Sequence, residues 1–175
     1  MLIMARRSAP SYVMQMDQPE PARVAALKSY GILDTPNEVE FDRIVRRAAQ
    51  ILHTPIALFS LIDEEHQWFK ARIGLEPEET PKAISFCTHA IRGSDVFVVE
   101  DATRDVRFAT SPLVTGAPNI RFYAGAPLRM ASGVRIGTIC VIDSEPRAAL
   151  NEKQRAELRA LADHTVALVE ARRKR

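Results

Sequence analysis

Two adjacent strand patterns between residues 56 and 73 constrain the fold more than any other feature of the sequence. Residues 56–62 form an apolar run broken only by Ser60, which is typical of a central strand covered on both faces. Residues 66–73 alternate instead, and the polar residues 63–65 between the runs predict an antiparallel hairpin. The alternation places two sets of side chains on opposite faces: Trp68, Lys70 and Arg72 on one, Phe69, Ala71 and Ile73 on the other.

Helical patterns precede this hairpin. Residues 21–30 predict a short helix that Gly31 ends in a left-handed conformation. A second helix is predicted to begin at Thr35 as N-cap, with Pro36 in the first position and Glu38 completing a capping box. Its apolar stripe consists of Phe41, Ile44, Val45, Ala48, Ala49 and Leu52.

The rest of the chain predicts short elements and one long helix. A short helix is predicted over residues 84–91 and a helical turn over 105–110, and strands over 96–99, 121–130 and 134–142. Asn151 and Gln154 form a capping box for a final helix that reaches about Arg172. Because the strands are joined by short or looped links, the pattern favours an α+β fold, an antiparallel sheet of five or six strands flanked by helices, over a doubly wound parallel sheet.

Charge and hydropathy limit the classes of partner. The chain of 175 residues has 24 Lys and Arg against 22 Asp and Glu, a net charge of +2. Six bases lie at the two ends, so the body is net acidic and neither a nucleic-acid-binding face nor a nucleic-acid partner is predicted. These terminal bases are Arg6, Arg7, Arg172, Arg173, Lys174 and Arg175.

The same patterns divide the chain and suggest its location. We expect a flexible N-terminal extension over residues 1–18, a single domain over 19–172 and a basic tail over 173–175. No apolar run approaches the roughly 18 residues of a membrane span, so no membrane partner is predicted. Residues 1–16 lack the apolar core of a signal peptide, which indicates the cytoplasm.

Cys87 and Cys140 are the two cysteines, and a structural disulfide is not expected in a cytoplasmic protein. Cys140 lies inside a predicted strand and is interpreted as a core thiol. Cys87 and His89 would share a face on a strand but diverge on a helix, so a catalytic pair and a pocket-lining role both stay open. The spacing of the cysteines and histidines predicts no metal site.

Aromatic residues beside the predicted inter-strand loops indicate a small-molecule pocket, since such sites combine apolar walls with a few polar groups. The aromatic rings would form its walls, Arg104 would contact an anion, and His89 would donate a hydrogen bond or carry a pH-dependent charge. A structural role for the charged loop around Asp101 and Arg104 is the alternative. The predicted ligand-binding set is Phe86, Cys87, His89, Asp101, Arg104, Phe108, Phe122 and Tyr123.

Seven stretches of the sequence carry a family resemblance: 27–36 (LKSYGILDTP), 41–43 (FDR), 55–75 (PIALFSLIDEEHQWFKARIGL), 84–91 (ISFCTHAI), 98–116 (VVEDATRDVRFATSPLVTG), 120–128 (IRFYAGAPL) and 136–143 (IGTICVID). In this order they resemble the GAF domains of bacterial histidine kinases and diguanylate cyclases, over about residues 22–170. The resemblance implies an antiparallel sheet of about six strands, with helices on one face and a loop-covered pocket on the other. It also implies a homodimer through the terminal helices and a kinase or cyclase as output partner.

The resemblance leads to three hypotheses of function. The leading one is a non-catalytic sensory domain with an unidentified small-molecule ligand and no identified cofactor. The cyclic-nucleotide signature Asn-Lys-Phe-Asp-Glu is absent, and Cys87 does not match a bilin-attaching cysteine. A free methionine sulfoxide reductase or redox sensor using Cys87 is the second hypothesis. The catalytic cysteine of those reductases would fall near Phe122 or Tyr123, where this chain has no cysteine. The third is a ligand-free interaction scaffold.

Overall fold

The computed structural model describes residues 19–173, and the predicted extension over 1–18 lies outside them. Five α-helices and six β-strands follow one another in this range, with 3₁₀ turns at Lys82–Ile84 and Ala102–Arg104. The order is α1 (Glu20–Ser29), α2 (Val39–Leu52), β1 (Ile56–Ile62), β2 (His66–Ile73), β3 (Glu79–Pro81), α3 (Cys87–Ala90), β4 (Phe97–Val99), α4 (Pro112–Thr115), β5 (Phe122–Arg129), β6 (Arg135–Asp143) and α5 (Glu152–Arg173).

The strands form one six-stranded sheet in the order β3-β2-β1-β6-β5-β4. Every neighbouring pair is antiparallel, which confirms the predicted α+β class. The fully buried run of β1 lies at the centre beside β6. Strand β3 was not predicted, because its three residues are mostly exposed and lie within an acidic, proline-containing loop.

Different layers cover the two faces of the sheet. On the helix face, α1, α2 and α5 pack against the strands through residues such as Leu27, Phe41 and Leu158. On the loop face, the segments between β3 and β5 cover the sheet, and Phe86 and Tyr123 are buried among them. The loop face therefore has a second apolar cluster of its own, separate from the helix-face core.

A β-bulge in β2 overturns the predicted alternation of its side chains. Ser60 pairs with Phe69 and Phe59 pairs with Ala71, so Lys70 is an extra residue on β2. Phe69 belongs to the loop-face cluster, whereas Ala71 packs on the helix face. A strict period of two cannot hold across an inserted residue, and the single-face assignment of Phe69 and Ala71 was wrong.

The start of α2 also differs from the prediction. Its N-cap is Glu38, without a side-chain capping bond, and the helix begins at Val39. Thr35 donates to the Ile32 carbonyl and accepts from Lys70, while Glu38 forms ion pairs with Lys70 and Arg172. The predicted capping residues instead bind the ammonium group that the β2 bulge turns toward the helices.

Helix α5 begins as predicted. The Asn151 amide N–H donates to the Gln154 side chain, and the Gln154 amide N–H donates to the Asn151 side chain. At the other end, Arg173 is helical and its guanidinium lies over the Tyr30 ring. Arg173 of the predicted basic tail therefore belongs to α5, and Lys174 and Arg175 lie outside the described residues. Likewise Arg172 is held by Glu38 and is not a freely solvated base.

The apolar stripes of the terminal helices face the sheet. Val24 and Leu27 of α1 and Leu158 and Val169 of α5 are buried within the domain. A homodimer through these helices thus stays a prediction. None of the helices in the described range has the length and apolar character needed to cross a membrane.

Candidate functional site

A cavity of about 270 Å³ lies on the loop face of the sheet. Strands β1, β2, β5 and β6 form its floor, and the segments after β2, around α3 and around α4 form its walls. The exposed Glu76, Pro77 and Ala117 mark its mouth. The lining residues are Leu58, Gln67, Phe69, Gly74, Leu75, Glu76, Pro77, Thr80, Phe86, Cys87, Leu113, Ala117, Pro118, Ile120, Tyr123 and Ile142.

A small polar group stands at one side of this apolar cavity. Gln67 is buried, donates from Nε2 to the Thr80 hydroxyl at 2.9 Å, and accepts from the Ser85 hydroxyl at 2.7 Å. The Ser85 oxygen also accepts from the Thr88 amide, at the start of α3. These bonds fix the amide of Gln67 at the cavity wall, where Gln67 and Thr80 offer a bound ligand hydrogen-bonding atoms.

The thiol of Cys87 lies at the bottom of the cavity, within a group of neutral polar side chains. Its Sγ accepts from the Tyr123 hydroxyl at 3.1 Å and the Thr138 hydroxyl at 3.2 Å, and lies 3.9 Å from the Cys140 Sγ. Burial raises the pKa of Cys87, but hydrogen bonds with Cys140, Thr138 and Tyr123 outweigh it and bring the pKa to about 7. Burial raises the pKa of Cys140 instead, and the neighbouring Cys87 adds to that rise.

Gly125 makes room for the ring that reaches Cys87. Tyr123 and Gly125 are two residues apart on β5 and share the loop face. A Cβ on Gly125 would lie 2.8 Å from Cζ of Tyr123 and 3.0 Å from its Cε1, so the ring lies along the strand across the glycine. This position brings the Tyr123 hydroxyl to the Cys87 sulfur.

We expect Gly125→Ala to lower the free energy of unfolding by about 1–3 kcal/mol, because a methyl group must displace a buried ring. Urea denaturation measures the loss. The same substitution in a Tyr123→Leu background removes the ring from the glycine and should cost less than half as much. An equal cost in both backgrounds would show that contact with the ring is not the reason.

The structure brings three of the eight predicted site residues, Phe86, Cys87 and Tyr123, into the cavity lining. Phe108 is buried directly behind them, stacked on Phe86 with ring centroids 4.0 Å apart. It supports the wall without lining the cavity. His89 lies further out, with its ring edge-on to Phe108 at 4.8 Å, and borders a separate shallow groove.

The other three predicted residues do not reach the cavity, and their assignment to it was wrong. Asp101 accepts from the backbone and hydroxyl of Thr103 and caps a 3₁₀ turn. The side chain of Arg104 is 88% exposed, 3.8 Å from Asp101. Phe122 belongs to the helix-face core, because it precedes Tyr123 on β5 and points to the opposite side of the sheet.

The proposed pairing of Cys87 with His89 is not formed. Both residues lie on the four-residue α3, where positions two apart diverge. Burial, and then Arg92 and Arg107, lower the pKa of His89, which disfavours the predicted pH-dependent charge at neutral pH. In the described range, the partners of the Cys87 sulfur are all neutral, and Cys87 is only 2% exposed. A cation next to the sulfur is the usual means of activating a catalytic thiol, so this geometry weighs against Cys87 and His89 as a catalytic pair.

No cluster of three or more His, Cys, Asp or Glu side chains suited to a metal ion occurs within residues 19–173. The polar lining of the cavity consists of neutral amide, hydroxyl and thiol groups together with Glu76 at the mouth. The chemistry that this arrangement offers is therefore hydrogen bonding within an apolar space.

Sequence reasoning missed the cavity floor. Leu58 and Ile142 lie in strands that are apolar on both faces, so no alternation distinguishes the side facing the cavity. Gln67 did carry a signal, since a polar side chain beside Trp68 and Phe69 in a strand needs partners if it is buried. The segment contributing Leu113 and Ile120 has no regular pattern from which its position over the sheet could be inferred.

Comparison with known proteins agrees with this architecture. The GAF domain family model matches residues 36–168. A cyclic di-GMP phosphodiesterase of Pseudomonas aeruginosa is 46% identical over 153 residues, which are 87% of this chain but 25% of that protein. This chain thus spans a quarter of the length of the curated relative.

Two solved structures show the same fold at low identity. Free methionine-R-sulfoxide reductase from Neisseria meningitidis superposes with a TM-score of 0.63 at 16% identity, covering 90% of this chain and 94% of that one. The GAF domain of an Acinetobacter phosphoenolpyruvate-protein phosphotransferase gives 0.62 at 16% identity, covering 89% and 96%. With the family model matching most of its length, this chain belongs to the GAF domain family.

Proposed function

We propose that this domain is a sensory module that binds a small, largely apolar and uncharged molecule in the loop-face cavity. The supporting observation is the lining itself. Leucine, isoleucine, proline and aromatic side chains surround the space, and Gln67, Thr80 and Cys87 supply a few polar atoms. Small-molecule sites have this composition.

The volume limits the ligand. At about 270 Å³, the cavity falls just below the ~300 Å³ at which pockets for drug-sized molecules begin. A single ring with a short substituent fits this space better than a dinucleotide. A hydroxyl or carbonyl group on the ligand would bond to Gln67 or Thr80, while the ring packs against Phe69 and Phe86.

The name of the Pseudomonas aeruginosa relative suggests a different chemistry, phosphodiester hydrolysis. We propose that this domain regulates an output and does not carry out that reaction. Among the described residues that line the cavity, Glu76 is the one charged side chain. Phosphate recognition usually relies on arginine, lysine or backbone amides at a helix terminus.

A short series of contacts leads from the cavity to the end of α5, and we propose it as the route of the signal. Phe69 lines the cavity, and the next residue, Lys70, is turned to the helix face by the bulge. Lys70 binds Glu38 at 2.7 Å, and Glu38 binds Arg172 near the end of α5 at 3.0 Å. A ligand that shifts Phe69 would disturb the bulge and therefore this ion-pair series.

The first experiment is native mass spectrometry of the protein purified from its source, followed by thermal unfolding with indole, p-cresol and benzyl alcohol as probes. A ligand at a hundred times its Kd adds about 2.7 kcal/mol, which raises the Tm of a domain of this size by about 5–11 °C. A retained charged metabolite, or no Tm shift with any neutral ring compound, would contradict the proposal.

Leu113→Trp is expected to weaken binding of the retained ligand or best probe at least tenfold, because the larger ring enters the cavity from its wall. Calorimetric titration measures the Kd. The matched control is Val106→Trp, since Val106 is 96% exposed and outside the cavity lining. It should leave the Kd unchanged, and equal weakening by both variants would place the ligand elsewhere.

A further inference from the structure

The two cysteines of the chain meet beneath the cavity. Cys87 comes from α3 and Cys140 from the middle of β6, and their sulfur atoms are 3.9 Å apart. A disulfide bond is about 2 Å long, so the sulfur atoms must approach by about 2 Å to bond. The short α3, packed on the sheet from within a loop segment, can supply this movement more easily than the central β6.

The surroundings of Cys87 favour its thiolate form without a cation. Tyr123 and Thr138 donate hydrogen bonds to its sulfur, and both are buried. Ser60 faces Thr138 across the β1–β6 pair, and its fully buried hydroxyl has no hydrogen-bond partner among residues 19–173. Hydrogen bonds to the charged form of an acid stabilise that form, which agrees with the opposite pKa shifts of Cys87 and Cys140.

Access also distinguishes the two thiols. Cys87 lines the cavity, whereas Cys140 is fully buried behind it and is not among the lining residues. A small solute that enters past Glu76 and Pro77 therefore meets Cys87 first. The apolar lining admits a neutral molecule such as hydrogen peroxide or an alkyl hydroperoxide.

We propose that Cys87 and Cys140 form a hydroperoxide-responsive thiol pair, with Cys87 as the attacking and Cys140 as the resolving residue. The Cys87 thiolate attacks one peroxide oxygen, the O–O bond breaks, and the departing alkoxide takes up the proton that Cys87 released. The products are an alcohol and a sulfenic acid on Cys87. With hydrogen peroxide, the alcohol is replaced by water.

Cys140 completes the reaction. Its sulfur attacks the sulfur of the Cys87 sulfenic acid, and the released hydroxide takes up the Cys140 proton to form water. The two thiols lose two electrons in total, and the hydroperoxide is reduced. The new bond ties α3 to β6 and withdraws the Cys87 sulfur from the cavity wall, so oxidation changes the shape of the proposed ligand site.

The test treats the full chain, fully reduced, with hydrogen peroxide and follows both thiols by alkylation and mass spectrometry. We expect the protein to lose the mass of two hydrogen atoms. We also expect it to yield a Cys87–Cys140 cross-linked peptide that separates on reduction. Thiols that stay alkylatable upon denaturation after excess peroxide, or a bridge between two chains, would overturn the proposal.

Two variants assign the roles. Cys140→Ser should accumulate a sulfenic acid on Cys87 that dimedone traps, and Cys87→Ser should slow oxidation of Cys140 at least tenfold. Unchanged oxidation of Cys140 in Cys87→Ser would overturn the order of attack. The wild-type peptide map does not depend on the folding of either variant, so the bridge is tested even if a substitution disturbs the core.

Discussion

Glu38→Ala should lower the free energy of unfolding by about 3–5 kcal/mol, as breaking a buried ion pair does. The side chain of Lys70 has no exposed area and binds the Glu38 carboxylate at 2.7 Å. Without that carboxylate, the buried ammonium keeps the Thr35 hydroxyl and the Pro36 carbonyl, which are neutral. Urea denaturation at pH 7 measures the loss.

The two partners of this pair are not equivalent. The Glu38 side chain is partly exposed and also binds Arg172, so its charge stays compensated when Lys70 is replaced. Lys70→Met, which keeps the length of the side chain, should therefore cost clearly less than Glu38→Ala. Equal losses would mean that the contact itself, and not the unpaired buried charge, determines the effect.

Glu64→Ala is the matched control. Glu64 binds Lys28 at 2.8 Å, but both side chains are 54% exposed, and exposed pairs contribute about 0–1 kcal/mol.

The dependence of the Glu38→Ala effect on pH is a further control. Although burial raises the pKa of Glu38, Lys70 and Arg172 outweigh it and hold that pKa below its ordinary value. The stabilisation is thus present at pH 7 and is lost in acid, as the pH falls through the folded-state pKa of Glu38. The difference between wild type and Glu38→Ala should shrink in that range.

The ion pair between Lys70 and Glu38 is a feature that the sequence did not predict. Local rules found every strand except β3, the long helices α1, α2 and α5, and the Asn151 cap, because periodicity and capping depend on near neighbours in the chain. They also assigned Thr35 and Glu38 to a capping box, a local role for side chains that in fact bind Lys70. The bulge that directs Lys70 toward α2 arises from strand pairing over a longer distance and has no local signal.

The candidate site was likewise predicted only in part. Phe86 and Tyr123 were predicted because they stand beside loops, and Cys87 because it is near them in the sequence; all three line the cavity. Phe122 was included with Tyr123 although neighbours on a strand point to opposite faces. Which of the two residues lines the cavity depends on which side of the sheet the helices cover. Because the strand is apolar on both faces, its sequence does not decide between them. The contact between Cys87 and Cys140 joins residues 53 positions apart and was not predicted.

Gly137→Ala should lower the free energy of unfolding by at least about 3 kcal/mol, at the upper end of what overpacking costs. Gly137 lies in β6 opposite Leu61 of β1, at the centre of the sheet. A Cβ there would overlap the Ser60 carbonyl oxygen and lie 2.9 Å from the Ser60 carbonyl carbon and 3.0 Å from the Leu61 Cα. These atoms are backbone, so no side chain can rotate to make room.

Relief would require β6 to move away from β1, which lengthens ladder hydrogen bonds between the two central strands. Urea denaturation and hydrogen exchange of the β1 amides measure the effect. In Gly93→Ala the nearest atom to the new methyl group is 3.9 Å away, and its stability should change by no more than about 0.5 kcal/mol. Similar losses in Gly93→Ala and Gly137→Ala would show that the close approach of β1 and β6 does not determine the cost.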